Sequence, residues 1–511
     1  MDTPLIGTAP KGKEPVDKNS EHYLLGGRPP LVTLLSLLAG PLLSQVTNSV
    51  YGLVDSLWIS KTHGRFGLTV TASVFVFDYI TFACGEFMLI AVSSRLSLLF
   101  SKNREKEAAK VVVDFIRYSF IFGAIIAIVL LPLVRVVAKW ISNSDIIADA
   151  AFRYEIPILG CSFSQQLYLL GSGILQGEGR SMTAGITQII CLCLIMFVFD
   201  PLFLVYFKMD LWGAALANVV AQAIVGWTVL TMILAGKFSL KFNAHMFIEG
   251  FSKQSFRAIK VGFAAFMLNI SGAFPEFAMQ KFLAIVADNV GALKPFLAVY
   301  DTFNRFYELG LCFMYSFDAS FLPAASYAVG RRKYRRVHRL ATHTLWITIV
   351  SCLIYSIFLV LFPRIIVSFW NDDEAYMHWA EKLFPLGYYT FALWPISSIC
   401  LSYLESLELP GRATMLSIVT SFLPLPLASS AIYFFSKKND LQLMFSAYIF
   451  AGIFQVIFSI PFIWKPYRIV HKTKDGNPLE GLEQHEETDE PLLSSSTSIE
   501  SIASTPYVSI S

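Results

Sequence analysis

Residues Met196 to Phe207 read MFVFDPLFLVYF, with one carboxylate, Asp200, among aromatic and aliphatic side chains and Pro201 directly after it. A run this apolar belongs in lipid. There an ionisable residue costs about 2.5 to 3.5 kcal/mol at the centre of a span, so it usually faces the interior of a bundle and has a role. Working outward, stretches long enough to cross a bilayer as helix, about 20 residues, recur from Leu31 to Trp464. The chain is 55% hydrophobic and only 15% charged, against about a quarter charged in an ordinary soluble domain.

The spans are expected at 31–60, 69–99, 112–140, 149–175, 182–207, 211–236, 258–287, 294–325, 340–370, 377–405, 412–436 and 441–465. Their continuous apolar runs favour helices over a barrel, whose strands would alternate. The expected fold class is an all-α polytopic membrane protein of about twelve transmembrane helices. Residues 1–30 are polar and lack a short apolar run with a cleavage site, so they read as an N-terminal tail.

Lys and Arg are distributed unevenly. The breaks SKNREKEAAK after span 2, GKFSLKFN and SKQSFRAIK after span 6, GRRKYRRVHR after span 8 and KPYRIVHK after span 12 are basic. NSDIIADAAFRYE and WNDDEAYMHWAEK, on the other side, are mixed or acidic. The positive-inside rule then places both termini in the cytoplasm. These loops account for the net charge of +3, and no nucleic-acid partner is implied.

The chain also repeats itself. GEGRSMTAG from Gly177 follows span 4 and LPGRATMLS from Leu409 follows span 10, while the basic breaks at Ser101 and Gly330 follow spans 2 and 8. Two pseudo-symmetric six-helix lobes of equal orientation are expected. They cover 31–236 and 258–465, joined by a cytoplasmic linker at 237–257. Residues 466–511 turn acidic and then Ser/Thr-rich, too polar for a core, and read as a disordered cytoplasmic tail. Within the tail, Asp489 to Leu493 resembles an acidic dileucine signal for sorting adaptors.

All seven cysteines fall inside apolar spans and read as small buried hydrophobes. Cys191 and Cys193 are spaced for neither a redox pair nor a zinc knuckle. The one glycosylation sequon, at Asn269, lies inside span 7.

Charged residues within spans are the candidates for function. Asp55, Asp200 and Glu276 each stand among uncharged neighbours. Asp55 follows the helix-breaking pair Gly40-Pro41 by about four turns, and Glu276 follows Pro275. A carboxylate beside a proline kink suits a cation or proton site. Glu86 has no local partner except Arg95, two to three turns away. Asp301, Arg305 and Glu308 share a helical face and read as an ion network. Asp318 and Glu405 lie near estimated helix ends and are expected to reach the interface. Asp78 completes the acidic set.

These residues carry a resemblance. DPLF from Asp200, LWGAALANVVAQ from Leu211, LQGEGRS from Leu175, GPLLSQVTNSVYGLVDSLWIS from Gly40 and YAVGRRKYRRV from Tyr327 resemble, in order, the multidrug and toxic-compound extrusion (MATE) family. The resemblance implies an antiporter of two six-helix lobes around a central cavity, exporting organic, often cationic, compounds or xenobiotics in exchange for H+ or Na+ by alternating access. It implies no other cofactor and no metal centre. It makes Asp55 and Asp200 the N-lobe carboxylates and Glu276 the helix-7 glutamate. Met196 stands where the prokaryotic pattern has an asparagine. A monomer in the plasma membrane or an endosomal, lysosomal or vacuolar membrane is expected.

Two rivals make different demands. A lipid-linked oligosaccharide flippase would share the architecture but want arginines for phosphate, and only Arg305 and Arg153 are arguable. A membrane enzyme would want clustered His or metal-ligand spacing, whereas the eight histidines are scattered through tails, loops and helix ends.

Overall fold

The computed structural model describes residues 22–142, 144–291, 293–368, 374–435 and 440–479. Among these residues every regular element is helical. The first two expected spans form α1 (Pro30–Ser101), and the third forms α2 (Glu105–Ser142). The fourth is divided into α3 (Asp145–Gly160) and α4 (Ser162–Gly177). The fifth is α5 (Ser181–Leu194) with π-helical turns Ile195–Phe199 and Pro201–Tyr206, and the sixth is α6 (Trp212–Leu234). The second half follows with α7 (Lys253–Asn289), α8 (Leu293–Gly330), α9 (Tyr334–Leu361) and α10 (Pro363–Ser368). It ends with α11 (Glu374–Tyr388) and α12 (Trp394–Ser406), α13 (Pro410–Phe422) and α14 (Pro424–Phe435), and α15 (Leu441–Phe445) and α16 (Ala447–Lys472). Eight helical stretches among the described residues are long and apolar enough to cross a membrane unaided. The remaining spans are the broken pairs α3/α4 and α11/α12 and the more charged α7 and α8.

A straight helix with the length of α1, rising 1.5 Å per residue, would far overrun a hydrocarbon core about 30 Å thick. Arg331 donates from Nη2 to Asn103 Oδ1 at 3.1 Å and meets His22 Nδ1 at 3.2 Å. The flanks of α1 therefore meet at one face, and α1 is a helical hairpin that reverses without losing helical hydrogen bonding. The polar stretch 61–68 is helix, not the expected break. Nor does Gly40-Pro41 break the helix, because Pro41 lies inside α1. Gly40 serves packing instead. A Cβ there would overlap the Ser181 backbone, and one on Gly185 would overlap the Gly40 backbone, so α1 and α5 touch main chain to main chain.

The expected repeat is visible in the backbone. Asn103 and Arg332 have φ of 56° and 54°, and Gly179 and Glu408 have φ of 79° and 55°. Both pairs are separated by 229 positions. Each residue caps a helix in the same way. Its N–H donates to the carbonyl three residues back, and the next N–H donates to the carbonyl five residues back, as in Asn103 to Phe100 and Arg104 to Leu99. The breaks at Cys161 and Thr390, and the new helical turns starting at Ile195 and Pro424, keep the same offset.

Each half has its own apolar core. One gathers residues such as Phe100, Phe115, Leu170 and Leu230, and another gathers Phe303, Phe384, Tyr388 and Phe445. The outer surface is apolar too, with Ile128, Trp140, Phe197 and Ile354 all more than 60% exposed, as lipid-facing helices require. Cys193 is exposed on this surface, against the expectation that every cysteine is buried. A helix lying against lipid has one face without protein neighbours, and Cys193 falls on it. Asn269 donates from Nδ2 to the Ala265 carbonyl within α7 at 3.0 Å.

One end of the bundle carries the basic turns and the described ends of the chain. Here the halves are joined by the Arg95–Glu408 ion pair, by Ser94 Oγ to Ser326 Oγ at 3.1 Å, and by Ser101 packed on Gly330. The turn His22–Gly27, from the segment read as a tail, sits between them. His22 bonds the Tyr327 hydroxyl at 2.8 Å, and Arg336 donates to the carbonyls of Arg28 at 2.8 Å and Leu25 at 3.0 Å. α16 continues through Lys472, beyond the expected end of order. The Gly476 N–H then donates to the Arg332 carbonyl at 2.9 Å. The segment between the halves is tied down by Asp114, which accepts from the Ser252 N–H at 2.8 Å and from Ser255 Oγ at 2.7 Å.

Candidate functional site

Pro201 has no N–H to give its helix, and the chain around it widens into π turns. The Asp200 N–H donates to the Ile195 carbonyl and the Phe207 N–H to the Leu202 carbonyl, each five residues back. This widening holds Asp200 in the interior at 0% exposure. Neither of its carboxylate oxygens has a hydrogen-bond partner among the described residues.

Asp200 lies within electrostatic reach of Asp55. Asp55 and Asp78 stand on the two arms of α1 and act on each other, and Asp78 acts on Glu155 of α3. All four act electrostatically on the buried Tyr154. The structure thus brings together Asp55 and Asp200 and adds Asp78 and Glu155. Glu155 is also fully buried, with neither oxygen hydrogen-bonded among the described residues. Sequence reading passed over Glu155 although it lies inside the fourth expected span, two residues before Pro157. The same signature of a carboxylate beside a proline had drawn attention to Asp200.

The 229-residue offset shows what the second half places there. Asp78 corresponds to Tyr307, Tyr154 to Leu383, Glu155 to Phe384 and Asp200 to Ser429. The acidic cluster of the first half is matched by a packed aromatic core in the second. The Phe303 ring lies 5.0 to 5.2 Å from Phe445, Tyr448 and Tyr388, and Tyr307 packs on Phe391 and Trp394 at 5.4 and 5.5 Å. The two clusters differ in charge while sharing a backbone.

A second acidic group lies nearer the junction of the halves. Tyr315 is within electrostatic reach of both Asp318 and Glu86, and Glu405 is within reach of Asp318. Asp318 accepts a short hydrogen bond from Ser398 Oγ. Asp318 and Glu405 were expected to reach the interface, but Glu405 is only 2% exposed, and Asp318 is half-buried and bonded to Ser398 of α12. α8 runs on to Gly330, well past Asp318, whereas Glu405 stands one residue before the end of α12 at Ser406, so the expected helix end holds for Glu405 but not for Asp318. Arg95 does not serve Glu86, because Glu408 takes it.

The remaining candidates lie elsewhere. Glu276 is on α7 and Asp301 on α8, and their side chains are outside the described residues. Arg305 is half-buried and Glu308 exposed on α8. Among the described residues, no three His, Cys, Asp or Glu side chains converge closely enough to hold a metal ion. Two histidines thought scattered do meet, with the rings of His338 and His471 5.2 Å apart.

A family model described as MatE matches residues 42–202 and 276–462. The chain belongs to the MATE family. Solved MATE structures have the same fold. One described as an outward-facing multidrug resistance MATE transporter of the MOP superfamily aligns with a TM-score of 0.80 at 18% identity, covering 90% of this chain and 100% of that one. A MATE in complex with MaL6 gives 0.79 at 18%, covering 89% and 99%. A MOP superfamily transporter from Pyrococcus furiosus, whose binding pocket is described as of reverse polarity, gives 0.79 at 19%, covering 90% and 100%. A search of curated protein sequences finds no match. The protein is therefore a multi-pass membrane transporter with the MATE fold, and members of its family are transporters, not enzymes.

Proposed function

We propose that this MATE protein is a secondary antiporter that exports organic cations in exchange for H+ or Na+ by alternating access between lobes 31–236 and 258–465. The observation that carries the reading is the cluster of Asp55, Asp78, Glu155 and Asp200, all within electrostatic reach of Tyr154. Four full negative charges in a water-poor interior are costly to keep. Positive charge must enter to compensate them, either as protons or as a cation. If the organic substrate and the coupling ion neutralise the same carboxylates, each favours release of the other, and exchange follows. A ligand shifts the lobe equilibrium only by its different affinity for the two states. Glu276 is proposed as a further coupling group, with Glu86, Asp301, Arg305 and Glu308 as secondary ones.

The basic end of the bundle is taken as cytoplasmic on the positive-inside rule, with a monomer in the plasma membrane or an endosomal, lysosomal or vacuolar membrane. The dileucine-like motif at Asp489 to Leu493 falls outside the described residues and is proposed to meet sorting adaptors.

The test is transport by purified protein in liposomes, using a fluorescent organic cation under an imposed pH or Na+ gradient. Wild type, Asp200→Asn and Glu276→Gln would be compared. Gradient-driven movement lost in Asp200→Asn, with folding retained, supports the reading, and the effective gradient names the ion. If wild type moves no cation under either gradient, the cation-exchange reading falls, and a lipid or anionic substrate takes its place.

A further inference from the structure

The basic face carries two adjoining cavities of about 360 and 350 Å³ that lie apart from both acidic groups. They share Arg335 and Arg339 and form one trough between the start of α9 and the end of α16. Lys333, Arg336, Lys472 and Lys474 complete its cationic lining, and its one carboxylate is Asp475. Asp475 Oδ1 is engaged by the Arg335 backbone N–H at 3.1 Å, and Arg336 is spent on the carbonyls of Arg28 and Leu25. Among the described residues, Lys333, Arg335, Arg339, Lys472 and Lys474 make no ion pair. These five cations share a concave site whose one carboxylate, Asp475, leaves most of their charge unmatched among the described residues.

The trough's depth says where the neutralising group comes from. One to two turns back along α16 stand Tyr467 and Trp464, 47% and 59% exposed, with Arg468 over the Trp464 ring at 5.7 Å. Exposed Trp and Tyr of this kind sit at the level of lipid headgroups. Beyond them the surface is apolar, with Ile457 and Ile460 half-exposed. At the trough, Lys333 supplies no side-chain cap for α9, and the Arg335 N–H of its first turn is taken by Asp475 Oδ1. His338 Nε2 is buried beneath without a hydrogen-bond partner among the described residues.

We propose that this trough binds the headgroup of an anionic membrane lipid carrying more than one phosphate, with its acyl chains along Trp464 and the outer face of α16. Arg335 and Arg339 take phosphate oxygens through their guanidinium forks, and Lys472 and Lys474 close the other wall. A lipid with a single charge would leave most of the five cations unmatched. A bound lipid would bridge α9, the last turn of α16 and the segment after it, fastening the basic end of the second half to its leaflet.

The test is native mass spectrometry of the full chain released from phosphatidylcholine vesicles containing either phosphatidylinositol bisphosphate or phosphatidylserine. The variants are Arg335→Ala/Arg339→Ala/Lys472→Ala, whose side chains are all exposed, and a control, Lys237→Ala/Lys241→Ala, exposed on the linker. The expected result is a one-to-one adduct with the bisphosphate lipid for wild type and control, weakened about 100-fold in the triple variant. Survival of the adduct in the triple variant, an equal loss in the control, or equal binding of phosphatidylserine overturns the proposal. So does equal binding of free inositol trisphosphate, which would make the ligand a soluble anion. A last variant neutralises the tail acids Glu480, Glu483, Glu486, Glu487, Asp489 and Glu490. If it binds lipid and wild type does not, the tail is the occupant, and the lipid reading is overturned.

Discussion

Arg95 and Glu408, 313 residues apart, form an ion pair that joins the two halves of the protein at its basic end. The guanidinium side is 2% exposed and the carboxylate 24%. Glu408 reaches it from a left-handed cap position that its repeat partner fills with glycine, Gly179. The acidic side chain therefore sits in a backbone conformation that L-residues adopt reluctantly, where it is the counter-charge for Arg95.

The pair is expected to act as a latch on the closed basic end. Glu408→Gln leaves a buried charge unmatched, a penalty of about 3 to 5 kcal/mol for a fully buried pair that falls only on the closed state. Labelling of a Ser326→Cys reporter by an impermeant maleimide is expected to rise at least tenfold in that background. Unchanged labelling would remove the latch from the account.

Equivalent positions of the repeat should respond oppositely to truncation. Phe384→Ala empties a fully buried aromatic site and is expected to cost about 3 to 5 kcal/mol, lowering the thermal midpoint by several degrees. Glu155→Gln removes a buried charge and is expected to leave stability equal or higher while reducing coupled transport. A thermal melt of both proteins in one detergent decides it, and a large loss of stability in Glu155→Gln would contradict the acidic cluster described above.

The left-handed caps give a second pair of opposite signs. Arg332→Gly relieves a φ of 54° and is expected to stabilise by about 1 kcal/mol. Gly179→Ala imposes a side chain at 79° against Leu24 and is expected to destabilise by at least about 1 kcal/mol. Thermal midpoints moving in the same direction would refute the cap assignment.

Gly40→Val forces α1 away from α5 and is expected to abolish monodisperse expression. Gly411→Val meets open space at the start of α13 and is expected to be tolerated. Fluorescence-detected size exclusion distinguishes them, and a well-behaved Gly40→Val protein would show that the backbone contact is dispensable.

Periodicity and hydropathy made the helices, their number and the repeat legible, because lipid imposes a length and a polarity on each span. Asp55 and Asp200 were legible for the same reason, as charges without company. What escaped was tertiary. Glu155 sits near a polar break, and only the folded chain carries it inward beside Asp78. Asp318 lies near the end of an apolar run, yet α8 continues beyond it, and Glu405 does stand at the end of its helix, yet the bundle buries it there. The Gly40-Pro41 pair looked like a break because local rules weigh the proline, whereas the packing of α1 on α5 weighs the absent side chain.

His22 and Gly476 bind neighbouring residues, Arg331 and Arg332, so the beginning and end of the described chain meet at a single turn. Joined there by a short connector and opened in the 237–252 segment instead, the same two halves could be synthesised in reverse order with every helix keeping its neighbours. A circularly permuted protein that still folds would make the order of the halves a matter of history, leaving physical necessity only in how they face each other.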